Sequence, residues 1–142
     1  MRNRKLNIVL FVLWIALMMY GILSPSDLLP KSIGLFSFIP FFDKFVHAGM
    51  FGGFSFLLFW LVIERKKIFK SLLITFIISV SFGIITELAQ LILSEITHRS
   101  FEFMDLLADA LGVVLSMLLC YLIYIKQEAN KRKTHHKQKI IR

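Results

Sequence analysis

Residues 6–23, 45–63, 71–93 and 104–125 are apolar runs of 18 residues or more, and runs of that length leave few folds open. At ~1.5 Å rise per residue, ~20 apolar residues cross a hydrocarbon layer ~30 Å thick. Residues 72–82 are interrupted only by Thr75, Ser79 and Ser81, and residues 51–63 only by glycines and Ser55. A helix on a soluble protein shows a polar face at period 3.6, whereas a helix that is apolar all round belongs in lipid. With 57% hydrophobic and 18% charged residues, a disordered chain is excluded and an ordinary soluble domain disfavoured. The expected fold is all-α: a polytopic membrane protein built as a bundle of four transmembrane helices. The first run exceeds the ~7–15 residues of a signal-peptide core and no small-x-small cleavage site follows it, so it reads as an uncleaved span.

The net charge of +8 suggests nucleic acid until the positions are read. Arg2, Arg4 and Lys5 precede the first span. Arg65, Lys66, Lys67 and Lys70 separate the second from the third, and Lys126, Lys131, Arg132, Lys133, Lys137, Lys139 and Arg142 follow the fourth. Of the 17 cations only Lys31, Lys44 and Arg99 lie on the other side. The positive-inside bias therefore predicts cytoplasmic N and C termini and external loops at 24–44 and 94–103. Residues 1–125 read as the transmembrane domain and 126–142 as a basic cytoplasmic tail. That tail, with His135 and His136, is expected to rest on anionic lipid rather than bind nucleic acid. Cys120 is the sole cysteine, so no internal disulfide can form.

Pro25, Pro30 and Pro40 exclude continuous helix before Asp43, and the apolar residues between them suit an interfacial lid. Ser71 reads as the N-terminal cap of the third span. Gly49 and Gly53 form a G-x-x-x-G pair pointing away from His47, suited to an oligomer contact or to packing within the bundle.

Against this apolar background, the polar side chains near the external end stand out. His47, Glu87 and Asp109 lie ~3, ~9 and ~7.5 Å inside the second, third and fourth spans, at overlapping levels. Their faces agree as well. Ser79, Gly83, Glu87, Gln90 and Ser94 recur at steps of three or four, as do Asp105, Ala108, Asp109, Gly112 and Ser116, while Asp43 and His47 are an i,i+4 pair. An acidic residue at mid-bilayer costs roughly 2.5–3.5 kcal/mol, so several facing lipid would rival the stability of a domain. They must be paired, neutral or hydrated, with Lys44, Arg99 and a protonated His47 as candidate partners. A structural network would account for some of these groups; seven polar residues on three spans point to a site.

Asp43-Lys44-x-x-His47 opening a span, then Glu87-x-x-Gln90, Arg99 six residues before Asp105, and Asp109 with Gly112 resemble the VanZ-like family of small bacterial membrane proteins. The resemblance covers roughly residues 24–116. The chain departs from the pattern with Phe51 where the family usually has Tyr, Asp109 where Asn is frequent, and Ser116 where a second glycine is common. The missing tyrosine hydroxyl removes a donor four residues from His47. The resemblance implies a multi-pass protein of the bacterial cytoplasmic membrane, associated with the cell envelope and with teicoplanin-type glycopeptide resistance. It implies no particular reaction or cofactor.

Asp43, Lys44, His47, Glu87, Gln90, Arg99, Asp105 and Asp109 are thus the expected ligand-binding residues, with membrane lipids as partners. One reading has Lys44 and Arg99 meeting the phosphate or carboxylate of a lipid headgroup, lipid-linked precursor or lipoglycopeptide. A second is an intramembrane enzyme with His47, Glu87 and Asp109 as catalytic candidates and a metal as an open question. No G-x-S-x-G, H-E-x-x-H or P-loop is present to choose a reaction. The third, an ion-coupled transporter, lacks an ionisable path through residues 57–63 or 73–80.

Overall fold

The computed structural model describes residues 4–24, 41–63, 67–98 and 101–140. Five helices follow one another: α1 (Arg4–Leu23), α2 (Phe42–Val62), α3 (Ile68–Ile92), the single turn α4 (Ser94–Thr97) and α5 (Phe103–Ile140). No strand occurs among the described residues. All but α4 are long and apolar enough to cross a membrane, as the four apolar runs predict. The apolar lid expected between Ser24 and Asp43, like Lys31 and Arg99, lies outside the described residues.

What a soluble protein keeps inside, this one turns outward. Leu10, Leu13 and Leu17 of α1, Ile77, Ile85 and Leu88 of α3, and Leu111, Leu118 and Leu122 of α5 all lie on the outer surface. The inward stripe of α3 is instead Ser71, Thr75, Ser79, Gly83, Thr86, Glu87 and Gln90. Such inversion is stable only when the surroundings are as apolar as leucine, and small inward residues then let helices approach. Of the polar stripe read from the sequence, Ser79, Gly83, Glu87 and Gln90 form a buried seam, extended toward the basic end by Ser71 and Thr75, while Ser94 falls in α4 and is half-buried.

Two contacts order the bundle. Against α1, Gly53 has no room for a Cβ because the Trp14 indole lies over it, and Trp14 Nε1 donates to the Met50 carbonyl at 2.9 Å. Met18, Ile22, Phe51, Phe54, Leu58 and Val113 form the apolar core, with Phe54 stacked on Phe82 at 4.8 Å between ring centres. Against α5, a Cβ on Gly112 would strike the Ala48 carbonyl, so the two backbones touch there. Gly49 has open space beside it, so within the chain Gly53 carries the packing of that glycine pair.

Helix boundaries shift the reading in three places. α2 starts at Phe42, which puts Asp43 and Lys44 inside its first turn. Ser71 is not a cap: α3 begins at Ile68, and the Ser71 hydroxyl donates back to the Lys67 carbonyl at 3.3 Å. Good helix formers around Ile68 and Phe69 carry the helix one turn earlier than the apolar pattern alone requires. Beyond residue 125 the backbone of α5 continues unbroken to Ile140, with Lys131 paired to Glu128 at 2.7 Å. At ~1.5 Å per residue its 38 residues extend ~57 Å.

The two glycine environments give opposite expectations. Gly112→Ala overpacks the α2–α5 crossing and should cost about 1–3 kcal/mol in unfolding experiments in detergent micelles. Gly49→Ala should stay within about 0.5 kcal/mol. A large loss at Gly49 would instead mark a contact with another copy of the chain.

Candidate functional site

The crossing at Ala48 and Gly112 lies directly after His47 on α2 and three residues past Asp109 on α5, so the side chains at and above it converge. Lys44 is the centre of the upper layer. Its ammonium lies 2.8 Å from Asp43 Oδ2, 2.5 Å from Glu102 Oε2 and 2.6 Å from Asp105 Oδ1. Asp43 sits at the rim, with 60% of its side chain exposed, whereas the Asp105 side chain is only 10% exposed. The lysine therefore joins the first turn of α2 to the start of α5, within reach of solvent.

His47, one turn deeper, begins the lower layer. Its Nδ1 lies 3.0 Å from Asp109 Oδ1, within hydrogen-bond distance, and its Nε2 is 3.9 Å from Asp105 Oδ2. Glu87 enters from α3, almost wholly buried, and accepts a hydrogen bond from the backbone N–H of Glu102 at 3.2 Å. That bond pins the segment before α5 onto α3. His98 prepares the return: its left-handed backbone, φ 52°, ends α4 and its N–H donates to the Ser94 carbonyl at 2.9 Å. Non-glycine residues seldom adopt that conformation, histidine more readily than most.

Six of the eight expected residues meet here: Asp43, Lys44, His47, Glu87, Asp105 and Asp109. Gln90 is buried in the same seam but turns to α1, where its Nε2 donates to the Ile22 carbonyl at 3.5 Å, a weak tie. Arg99 lies outside the described residues. Glu102 was missed. It lies between helices, where periodicity gives no face, and its one signal is its place three residues before Asp105. Thr86 also joins the seam, its hydroxyl donating to the Gly83 carbonyl at 2.8 Å.

Asp109 has a second side. Its Oδ2 has no hydrogen-bond partner among the described residues and lies against Gly83, where a Cβ would be 3.4 Å away. Phe51 packs on that same glycine, so the position where the family pattern has a tyrosine adjoins the unpartnered oxygen. Below, Ser79, Gly83 and Asp109 line a cavity of about 40 Å³.

Five carboxylates, on Asp43, Glu87, Glu102, Asp105 and Asp109, thus surround one lysine and one histidine among the described residues. Lys44 is already engaged by three of them, so the site presents surplus negative charge. Two trios bring ligand atoms within 4.8 Å of one another: Asp43, Glu102 and Asp105, and His47, Glu87 and Asp109. The first is centred on the Lys44 ammonium; the second has an imidazole nitrogen among its own members.

A family model described as VanZ/LLP1 matches residues 2–124. The chain belongs to this family. The match spans every residue of the cluster and stops just before the basic extension of α5, which this VanZ/LLP1 protein carries as a helix. No curated protein and no solved structure matches the chain significantly.

Removing the lysine should be felt more than removing the rim carboxylate. Lys44→Met leaves Asp105 partly buried without its cation and should lower stability by about 1–3 kcal/mol, whereas Asp43→Asn should cost under about 1 kcal/mol. Thermal unfolding of the two variants checks the ranking. Lys44→Met combined with Asp105→Asn should recover part of the loss.

Proposed function

We propose that this VanZ-like protein binds or modifies a component of the cell envelope at an outward-facing pocket formed by the Lys44–His47 cluster. The termini and the basic end of α5 face the cytoplasm, resting on anionic lipid, and the cluster opens toward the outer leaflet of the bacterial cytoplasmic membrane. The charge asymmetry of the chain, with 14 of its 17 Lys and Arg at the opposite end, supports this orientation.

The observation that carries the reading is the surplus of carboxylate around a lysine that is already satisfied. Such a site favours a ligand that brings positive charge, such as the ammonium of a zwitterionic headgroup or an amino group on a lipid-linked precursor or lipoglycopeptide. An anionic group on the same molecule would meet Lys44, displacing Glu102 or Asp43 from the rim. A lipid tail can remain among the acyl chains while its headgroup enters from the side. Teicoplanin-type resistance would follow if the ligand is the drug's lipid-bearing portion or the precursor it competes for.

A second reading, intramembrane catalysis, draws on the 3.0 Å contact between His47 and Asp109. A carboxylate-oriented imidazole is a general acid–base unit once a substrate lies within reach of its other nitrogen. The transporter reading gains nothing: Thr75 and Ser71 turn their hydroxyls to carbonyls of their own helix.

Photoreactive analogues of aminated and amine-free lipids, applied to native membranes, test the binding reading. The full-length chain should be labelled by the aminated probe several-fold more strongly, and Asp105→Asn should lose most of that preference. Equal labelling by both probes would refute the charge argument. In cells, the wild-type chain should lower teicoplanin susceptibility and Asp105→Asn should not.

A further inference from the structure

Of the two trios, only the lower one has the makings of an ion site. In the upper trio the Lys44 ammonium already lies within 2.8 Å of all three carboxylates and acts as their cation. His47, Glu87 and Asp109 come from α2, α3 and α5, and no lysine contacts them among the described residues. Glu87 is 1% and Asp109 3% exposed, and two carboxylates at that depth face a single imidazole. We propose that these three residues hold a borderline divalent transition-metal ion, for which Zn²⁺ is the natural probe.

Four features of the geometry bear on this. His47 Nδ1 and Asp109 Oδ1 are 3.0 Å apart, close to the separation that two ligands of one ion adopt when each bond is ~2.0–2.2 Å. Glu87 completes the set, each of the three residues offering a ligand atom within 4.8 Å of the other two. His47 turns its other nitrogen toward Asp105 Oδ2, which at 3.9 Å is beyond hydrogen-bond distance and would have to close in to orient a metal-bound histidine. Finally, Asp109 Oδ2 is buried without a hydrogen-bond partner among the described residues and turned toward α3, one turn from Glu87 on the same helix. A carboxylate whose second oxygen is unmet can swing or bind in bidentate fashion at little cost in hydrogen bonds.

One imidazole with two carboxylates is a mixed nitrogen–oxygen set. It suits zinc or manganese better than the all-oxygen preference of calcium or the thiolate preference of copper(I). An ion here would neutralise both carboxylates and place a Lewis acid at the floor of the pocket. It neither requires nor excludes a lipid at the rim, so metal content can be read with no envelope ligand present.

The test uses the full-length chain without a polyhistidine tag, in lipid nanodiscs, stripped with a chelator and then titrated with Zn²⁺. Bound zinc is counted by mass spectrometry after desalting, alongside thermal unfolding. The wild type should retain one zinc per chain and unfold at a higher temperature with zinc than without. So should a double variant, His135→Ala with His136→Ala, which removes the competing histidine pair of the basic end. His47→Gln and Asp109→Asn should each weaken binding roughly tenfold or more and lose the thermal shift. Should those variants fail to fold, X-ray absorption on the zinc-loaded wild type decides, with one imidazole and oxygen neighbours expected. The inference is overturned by absence of stoichiometric zinc, by zinc lost with the tail histidines, or by a shell containing sulfur or two imidazoles.

Discussion

A carboxylate entering hydrocarbon must bring a counter-charge, gain hydrogen bonds or give up its own charge, because the medium offers none of these. At the acidic end of this bundle the requirement is met in part, and, the Asp43–Lys44 pair aside, between helices rather than within one. Asp105 and Asp109 belong to α5, yet the ammonium and imidazole beside them come from α2, and Glu87 of α3 takes its hydrogen bond from the segment that leads into α5. Each helix alone would carry an uncompensated group into lipid. The assembled arrangement is therefore the one in which these groups can be tolerated.

That exchange depends on how closely α2 and α5 approach. Lysine and histidine side chains reach only a few ångströms, and a Cβ at Gly112 would hold the Ala48 backbone off. The glycine acts on the site indirectly, through the distance it permits. Gly53 does the same for Trp14 on the far side of α2, so that helix is gripped on two faces while its first turn presents Asp43, Lys44 and His47.

Much of this was legible in the sequence, for identifiable reasons. Four spans follow from length and apolarity alone, and the convergence of His47, Glu87 and Asp109 follows from helical spacing combined with depth. Periodicity is silent where the chain is not regular, and that is where Glu102 lies. The destination of Gln90 was also hidden, because facing inward does not say which neighbour is met, and α1 supplied a carbonyl. The start of α2 at Phe42 falls one residue from the Asp43 that the sequence marked, whereas α3 starts at Ile68, about a turn before Ser71, since hydropathy marks the apolar run and not where the hydrogen-bonded ladder begins. Lys44 was read both as a partner for the carboxylates, which it is, and as a contact for a ligand's phosphate or carboxylate. Three carboxylates around it favour the first, and only coordinates could show them on the same atom.

Because α5 is one helix from Phe103 to Ile140, its two ends are joined by a continuous hydrogen-bonded backbone. Asp105 and Asp109 ride on the same rod as Lys131, Arg132 and Lys133, with no hinge glycine or proline beyond Gly112. For a helix ~57 Å long that moves as one rod, a tilt of ~5° about one extremity displaces the other by ~5 Å. A rocking motion that widens the gap at the acidic mouth would thus sweep the cationic extremity sideways across whatever surface it rests on.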